Sequence, residues 1–369
     1  MNDRDDVPPD RVIRPDARTR LADGRTLLYY DDVAGADRSA SDSRPLVALE
    51  SEPELRYNAL LGEWVIIAPH RQERTYLPPE SECPLCPSRE RATEIPASDY
   101  DVVVFENRFP SLVSGVAIDG PPDGTRRPGI GKCEVICFSS DHHATFAGLG
   151  AARLRTVSRA LIDRTLELGT LPGVEYVLCF ENRGEEIGVT LNHPHGQIYA
   201  YPFIPAKIDR TLAVAADHQA RTGECLMCSL VARELADGDR LVAAVDDFVA
   251  FVPFAPRWPF EVHIVPTRHV TDVPALAEGS AVTMLELQAR VLRAFDRLFP
   301  SPAPYIAGFI QAPVTDRREV AHLYAEVFTP RRAAGKLKYL AGSESLAGAV
   351  SNDVIPETAA EMLRQVLAE

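Results

Sequence analysis

A duplicated order of cysteines and histidines does most to narrow the folds open to this chain. Cys83-Pro-Leu-Cys86 is followed by His142 and His193, 56 and 107 residues beyond the second cysteine. Cys225-Leu-Met-Cys228 is followed by His269 and His322, 41 and 94 residues on. The texture between these landmarks repeats as well. In the first half the β-rich runs "EWVIIAPH", "DYDVVVFENRF" and "CEVICFSSDHH" lead to the helically spaced "AARLRTVSRALIDRTLELGT", then to "VEYVLCFENRG" and "HGQIYAYPFI". In the second, "DFVAFVPFA" and "FEVHIVPTRHV" lead to "SAVTMLELQARVLRAFDRLF", then to "YIAGFIQAPV" and "HLYAEVFTP". Strand runs around one amphipathic helix, used twice, predict an α+β chain: a duplicated unit of mainly antiparallel sheet with helices packed on it. The units are expected at 51–210 and 211–350, with a C-terminal helix over 351–369. Residues 1–50 read as an extension in which "LADGRTLLYYDD" is the one strand-like piece and "GADRSASDSRP" a flexible link.

Composition agrees with two ordinary cores, since 369 residues are 46% hydrophobic and 25% charged. A net charge of -14 argues against a nucleic-acid or anionic membrane surface, which clustered Lys and Arg would attract. Any phosphate must therefore be held by a few placed groups. With no apolar run of 18 residues and a polar start lacking a leader pattern, the chain is expected to be cytoplasmic and free of membrane. Seven cysteines in so large an acidic chain do not suggest a disulfide framework.

Two cysteines three apart reach one ion from a tight turn, and thiolate with imidazole suits tetrahedral zinc. Cys83, Cys86, His142 and His193 make a closed set, hence a structural ion; His143, beside His142, is an equal contender from sequence alone. Cys225, Cys228, His269 and His322 form the equivalent set in the second half. Zinc at the first would pin the chain carrying His193 and thereby fix His195 two residues on.

In "NHPHGQIYAY" alternation along a strand would place His193, His195 and Gln197 on one face. A neutral imidazole is a competent nucleophile toward phosphorus. Gly184, Gly188 and Gly196 let backbone and phosphate approach, while Thr190 and Gln197 offer donors to phosphate oxygens. Asn182 belongs to the same cluster.

"FENRGEEIGVTLNHPHGQIYA", with "RYNALLGEWVIIAPHRQER", "CPLC" and "VICFSSDHH" ahead of it, resembles the galactose-1-phosphate uridylyltransferases of the histidine-triad superfamily, in order from about residue 55 to 350. The resemblance implies a duplicated histidine-triad-like unit, the first catalytic and the second silent. It implies uridylyl exchange between UDP-glucose and a hexose-1-phosphate through a uridylyl-His195 intermediate, in a homodimer. Gln197 stands where histidine-triad hydrolases have a third histidine. An amide holds phosphate oxygens but cannot act as an acid, which favours transfer over hydrolysis. Further roles implied are phosphate contacts for Asn182, Gly188, Thr190 and Gln197, and a ribose contact for Asn107, followed by Arg108 where some relatives carry Asp. Arg71 and Arg74 would reach phosphate from the other subunit, and Lys338, Tyr339 and Glu344 would contact the hexose, with Ser343 in place of a Tyr. An iron site of some relatives falls on Thr211, Ile310, Tyr324 and Glu326 and is broken here. Two other readings are a nucleotide phosphorylase or adenylyltransferase of the same superfamily and a non-catalytic zinc protein.

Overall fold

Period-two alternation of apolar side chains gives this chain its strands, and the computed structural model, which describes residues 13–47, 52–73, 76–115 and 123–368, joins most of them into one sheet. The first half comprises β1 (Ala17–Arg20), β2 (Thr26–Tyr30), β3 (Glu54–Asn58), β4 (Glu63–Ile67), β5 (Val102–Glu106), β6 (Arg126–Pro128), β7 (Lys132–Cys137), α1 (Ala151–Gly169), β8 (Tyr176–Arg183) and β9 (His195–Tyr201). The second comprises α2 (Ala206–Thr222), α3 (Leu226–Asp237), β10 (Leu241–Val245), β11 (Phe248–Phe251), β12 (Phe260–Pro266), α4 (Glu278–Leu298), β13 (Tyr305–Ile310), β14 (Tyr324–Thr329), β15 (Arg331–Ala333), β16 (Lys336–Leu337), α5 (Gly342–Ala347) and α6 (Pro356–Ala368).

Eleven strands pair in the order β1-β2-β5-β7-β9-β8-β13-β14-β12-β11-β10, every pair antiparallel. About the β8–β13 junction, where Phe180 faces Gly308, β5-β7-β9-β8 is mirrored by β13-β14-β12-β11, with β1 and β2 beyond one end and β10 beyond the other. Duplication thus produces a pseudo-twofold within a single sheet. His193 and His322 take corresponding places, as do His195 and Tyr324, and Gln197 and Glu326.

Each strand sends alternate side chains to opposite faces. On β7 and β9, Ile136, Ile198 and Ala200 enter a large apolar core that α1, α4 and α6 cover across both halves. Val157, Ala160, Leu161 and Ile162 of α1 and Leu285, Val291, Leu292 and Phe295 of α4 are all at most 5% exposed. Each of the Val, Leu, Ile and Phe side chains among them stabilises by about 1.5–3 kcal/mol on burial, so a charge at Leu292 would disrupt the layer. Arg164 of α1, itself 1% exposed, reaches through this layer to Glu134 of β7 with two 2.9 Å bonds. The opposite face carries Cys133, Val135, Cys137 and Tyr199 in smaller clusters and leaves His195 and Gln197 facing a cavity.

Ordered structure begins well before residue 50. β1 and β2 form a hairpin that extends the sheet beyond β5, with Leu27 opposite Phe105 and Tyr30 opposite Val102. The polar alternation of β1 reflects an edge strand with one wet face. The segment read as a flexible link is tied back to the fold: Arg38 pairs with Asp31 and donates to the Asp99 carbonyl, and Arg44 pairs with Asp42 and Glu94. Among the described residues no helix is long and apolar enough to cross a membrane.

Candidate functional site

The strand carrying His195 starts at that residue, so His193 lies in a bend just ahead of it and not on the strand face. The bend separates the two rings. His193 is 1% exposed and turns Nδ1 toward Cys86 Sγ at 3.6 Å, while Nε2 lies 2.8 Å from both the Ser139 carbonyl and the Tyr100 hydroxyl. Nε2–H is thereby occupied, and the Nδ1 lone pair faces sulfur. Burial pushes the His193 ring down to about 4, partly offset by its bond to Ser139, so it is neutral, as a metal ligand must be.

His142 Nδ1 stands 3.4 Å from the same sulfur, and the four ligand atoms of Cys83, Cys86, His142 and His193 lie within 4.8 Å of one another. His143 instead sits 3.3 Å from Glu80, exposed, so His142 is the member of the cluster. The second half repeats the arrangement. His322 Nδ1 is 3.5 Å from both Cys225 Sγ and Cys228 Sγ, its Nε2 is 3.2 Å from the Pro266 carbonyl, and His269 completes the set. With ordinary Zn–S and Zn–N bonds, the S···N edge of a tetrahedron is about 3.5 Å. Both groups fit a zinc ion.

His195 is half-buried, and its Nδ1 lies 2.7 Å from the His193 carbonyl. A carbonyl only accepts, so Nδ1 carries the proton and Nε2 keeps its lone pair. Burial lowers this ring below the ordinary histidine value, opposed by the His193 carbonyl, and keeps it unprotonated near neutrality. Gln197, two residues on, lines the same cavity of about 520 Å³. Its Oε1 accepts from the Tyr199 hydroxyl at 2.8 Å, which leaves the NH₂ end available to a ligand. Tyr199 was not singled out from the sequence; its place two residues after Gln197, on the same strand face, was the available signal.

Arg71, Asn107 and Thr190 line that cavity too, with Arg108 beside them. Arg71 borders the His195 cavity of its own chain, its Nη1 donating to the Phe109 carbonyl at 2.8 Å; Arg74 lies outside the described residues. Asn107 Oδ1 accepts from the Phe109 amide at 2.8 Å, which aims its NH₂ group. Asn182 lines a second cavity of about 350 Å³, reached by His195 from its other side. Gly188 closes a short turn at φ +81, a left-handed position suited to glycine, but lines neither cavity. Gly196 serves packing rather than phosphate approach: a Cβ there would lie 2.9 Å from both the Phe138 ring and the Phe180 carbonyl. Lys338, Tyr339 and Glu344 border neither cavity. Lys338 donates to the Ser351 carbonyl, and Tyr339 is exposed.

Beneath the site, on the helix face, Glu181 accepts from the Tyr305 hydroxyl at 2.7 Å while its Oε2 has no partner. Burial pushes its carboxyl up to about 7. In the second unit Tyr324 stands where His195 does, and Lys207 clamps Glu326 with two 2.7 Å bonds. Glu326 also joins Glu261 and His263 in a third, carboxylate-rich group among the described residues. Thr211, Ile310 and Tyr324 border a largely apolar cavity instead of forming a ligand set, and Tyr324 has no imidazole to act with.

Family models for the N-terminal and C-terminal domains of galactose-1-phosphate uridyl transferase match residues 45–205 and 212–369. The chain belongs to this family. It is 43% identical over 362 residues to a galactose-1-phosphate uridylyltransferase of Streptomyces lividans, covering 94% of this chain and 97% of the relative. It is 36% identical to that of Thermotoga maritima, covering 86% and 99%. Among solved structures, a uridylyltransferase superposes with a TM-score of 0.76 at 30% identity, covering 85% of this chain and 98% of the other. An ADP-glucose phosphorylase of Arabidopsis thaliana shares the fold at a TM-score of 0.65 and 23% identity, covering 85% and 99%.

Proposed function

We propose that this member of the galactose-1-phosphate uridylyltransferase family is a UDP-glucose–hexose-1-phosphate uridylyltransferase of galactose metabolism, working through a covalent intermediate on His195. One observation carries the mechanism: the 2.7 Å contact of Nδ1 with the His193 carbonyl, which leaves Nε2 unprotonated toward the cavity. Nε2 attacks the α-phosphorus of UDP-glucose, and the P–O bond to glucose-1-phosphate breaks, the electron pair leaving with that oxygen. A phosphate leaving group needs no proton, which suits a site with Gln197 in place of an acid. The uridylylated ring is a cation whose Nδ1–H still points at the His193 carbonyl, so the charge forms against a dipole already in place. A phosphate oxygen of galactose-1-phosphate then attacks the same phosphorus, the P–N bond breaks, and the neutral ring is restored.

The family resemblance and, for Gln197, Thr190, Arg71 and Asn107, the cavity lining support the roles of the surrounding groups. The Gln197 amide, the Thr190 hydroxyl and the Arg71 guanidinium suit non-bridging oxygens, with Arg74 as the companion arginine. Asn182 lines the second cavity and Gly188 closes the turn that follows β8, where both suit phosphate contacts, and Asn107 suits a ribose hydroxyl. Cys83, Cys86, His142 and His193 would hold structural zinc, with Cys225, Cys228, His269 and His322 holding a second; the metal, when bound, supplies a rigid anchor for the bend ahead of His195. A homodimer accounts for Lys338, Tyr339 and Glu344, which stand apart from their own cavity and would serve the hexose in the partner's. The exposed Leu60, Leu61 and Tyr339 supply apolar surface for such an interface.

Intact-mass measurement after mixing with UDP-glucose tests the mechanism. The expected result is one uridylyl adduct, none with ATP, and none in His195→Ala; an adduct that persists in that variant refutes it. Elemental analysis of wild type and Cys225→Ser is expected to find two zinc ions and one.

A further inference from the structure

One wall of the cavity is built by a part of the chain that the family models do not wholly include. The match to the N-terminal model begins at residue 45, so β1, β2 and residues up to Arg44 precede it. Yet Arg44, Pro45 and Leu46 border the cavity that His195 and Gln197 open into. Strand register gives the scale. Gln197 of β9 faces Val135 of β7, Val135 faces Phe105 of β5, and Phe105 faces Leu27 of β2. At about 4.8 Å per strand, this row is a ruler running away from the phosphate end. With a nucleotide's reacting phosphate at His195 and Gln197, its ribose and base extend over Val135 and Phe105, an apolar floor suited to a flat ring.

At the end of the ruler stands the strap Asp42–Leu46. Arg44 is fastened on every side: its Nε and Nη2 donate to Asp42 at 2.8 and 2.7 Å, and its Nη1 donates to Glu94 at 3.0 Å. Glu94 is shared with Arg25 at 2.6 Å, the residue just before β2, and Asp42 also accepts from the Ala22 amide at 3.0 Å. The side chains of Asp42, Glu94 and Arg44 are 1%, 7% and 12% exposed. A guanidinium so fully engaged is a latch and not a reader of the base. Beside it the exposed Pro45 and half-buried Leu46 border the cavity, in a bend closed by the 2.8 Å bond from the Leu46 amide to the Arg44 carbonyl.

Resting on the reading that a nucleotide's α-phosphate is bound at His195, we propose that the latched strap Asp42–Leu46 is the end wall of the base slot and sets its depth for a single-ring pyrimidine over a two-ring purine. Arg44, Asp42, Glu94 and Arg25 are positioning residues, and Leu46 is the specificity-determining contact.

The test is calorimetric titration of the full chain with UMP and with AMP, in wild type, Leu46→Gly and Arg44→Ala. Intact-mass adduct formation from UDP-glucose is read separately. The wild type is expected to favour UMP by about tenfold or more, the discrimination a single steric misfit supplies. Leu46→Gly, which leaves the latch untouched and serves also if Arg44→Ala folds poorly, is expected to raise AMP affinity and bring the ratio toward one. A wild type that does not discriminate, or a ratio unchanged in Leu46→Gly, overturns the proposal. Adduct formation with an unchanged ratio rejects the strap and leaves uridylyl transfer standing. A strap-dependent ratio without any adduct rejects the covalent mechanism and leaves the strap.

Discussion

Replacing Glu181 by Gln should change how stability depends on pH, with a sign that the buried site dictates. Glu181 sits on β8 opposite Gly196, 6% exposed, with Tyr305 donating to one oxygen and nothing reaching the other. Arg183, two residues on, does not neutralise it, because that guanidinium is committed to Asp296 and the Ala303 carbonyl. Burial therefore dominates and raises the carboxyl from 4.5 to about 7. Between those values the folded chain keeps a proton that the unfolded chain releases. The stabilisation is fully present below 4.5 and is lost as pH rises to 7. At 1.36 kcal/mol per pH unit the full loss is about 3 kcal/mol, and about 2.5 kcal/mol of it falls between pH 5 and pH 8. Gln carries no such proton. Urea unfolding followed by tryptophan fluorescence at pH 5 and pH 8 should show wild type losing about 2.5 kcal/mol relative to Glu181→Gln across that interval. A stability gap between the two proteins that stays constant with pH would refute the assignment of a proton to this carboxyl.

Tyr199→Phe should free the Gln197 amide to rotate, lowering kcat/KM for UDP-glucose by roughly five- to tenfold, the worth of about 1 kcal/mol for one hydrogen bond, with zinc content unchanged. Steady-state kinetics with parallel metal analysis checks it. Gly196→Ala should destabilise by about 1–3 kcal/mol through overpacking against Phe138 and the Phe180 carbonyl, read as a lowered midpoint of thermal unfolding. The rate of adduct formation from UDP-glucose should be flat from pH 8 down to 6.5 and fall only at lower pH, because burial holds the His195 ring below its usual value and protonation removes the attacking lone pair. A fall already complete at pH 6.5 in stopped-flow measurements would contradict that environment.

Much of the architecture was legible because duplication writes the same residues twice. The cysteine and histidine spacings foretold two clusters, and the helix between the strands announced the layer that α1 and α4 build. Other parts leave no local mark. β1 is four residues of alternating polar character whose partner is β2, and β2 in turn pairs with β5 far along the chain, so only pairing reveals it. The latch joins Arg44 to Glu94 across fifty residues, and the Asp- and Ser-rich sequence around it is indistinguishable from a solvated link until the acceptors are assembled. The choice between His142 and His143 is one of ring direction, which neighbours identical in type cannot encode. Gly196 looked like room for a substrate because the helix-face ring that fills the space, Phe138, arrives from a different strand end.

The β8–β13 seam has a bearing on turnover. Because the two halves share a hydrogen-bonded edge at the middle of one sheet, swinging one half against the other would break the β8–β13 pairing. On the proposed mechanism the two sugar phosphates exchange over this continuous sheet.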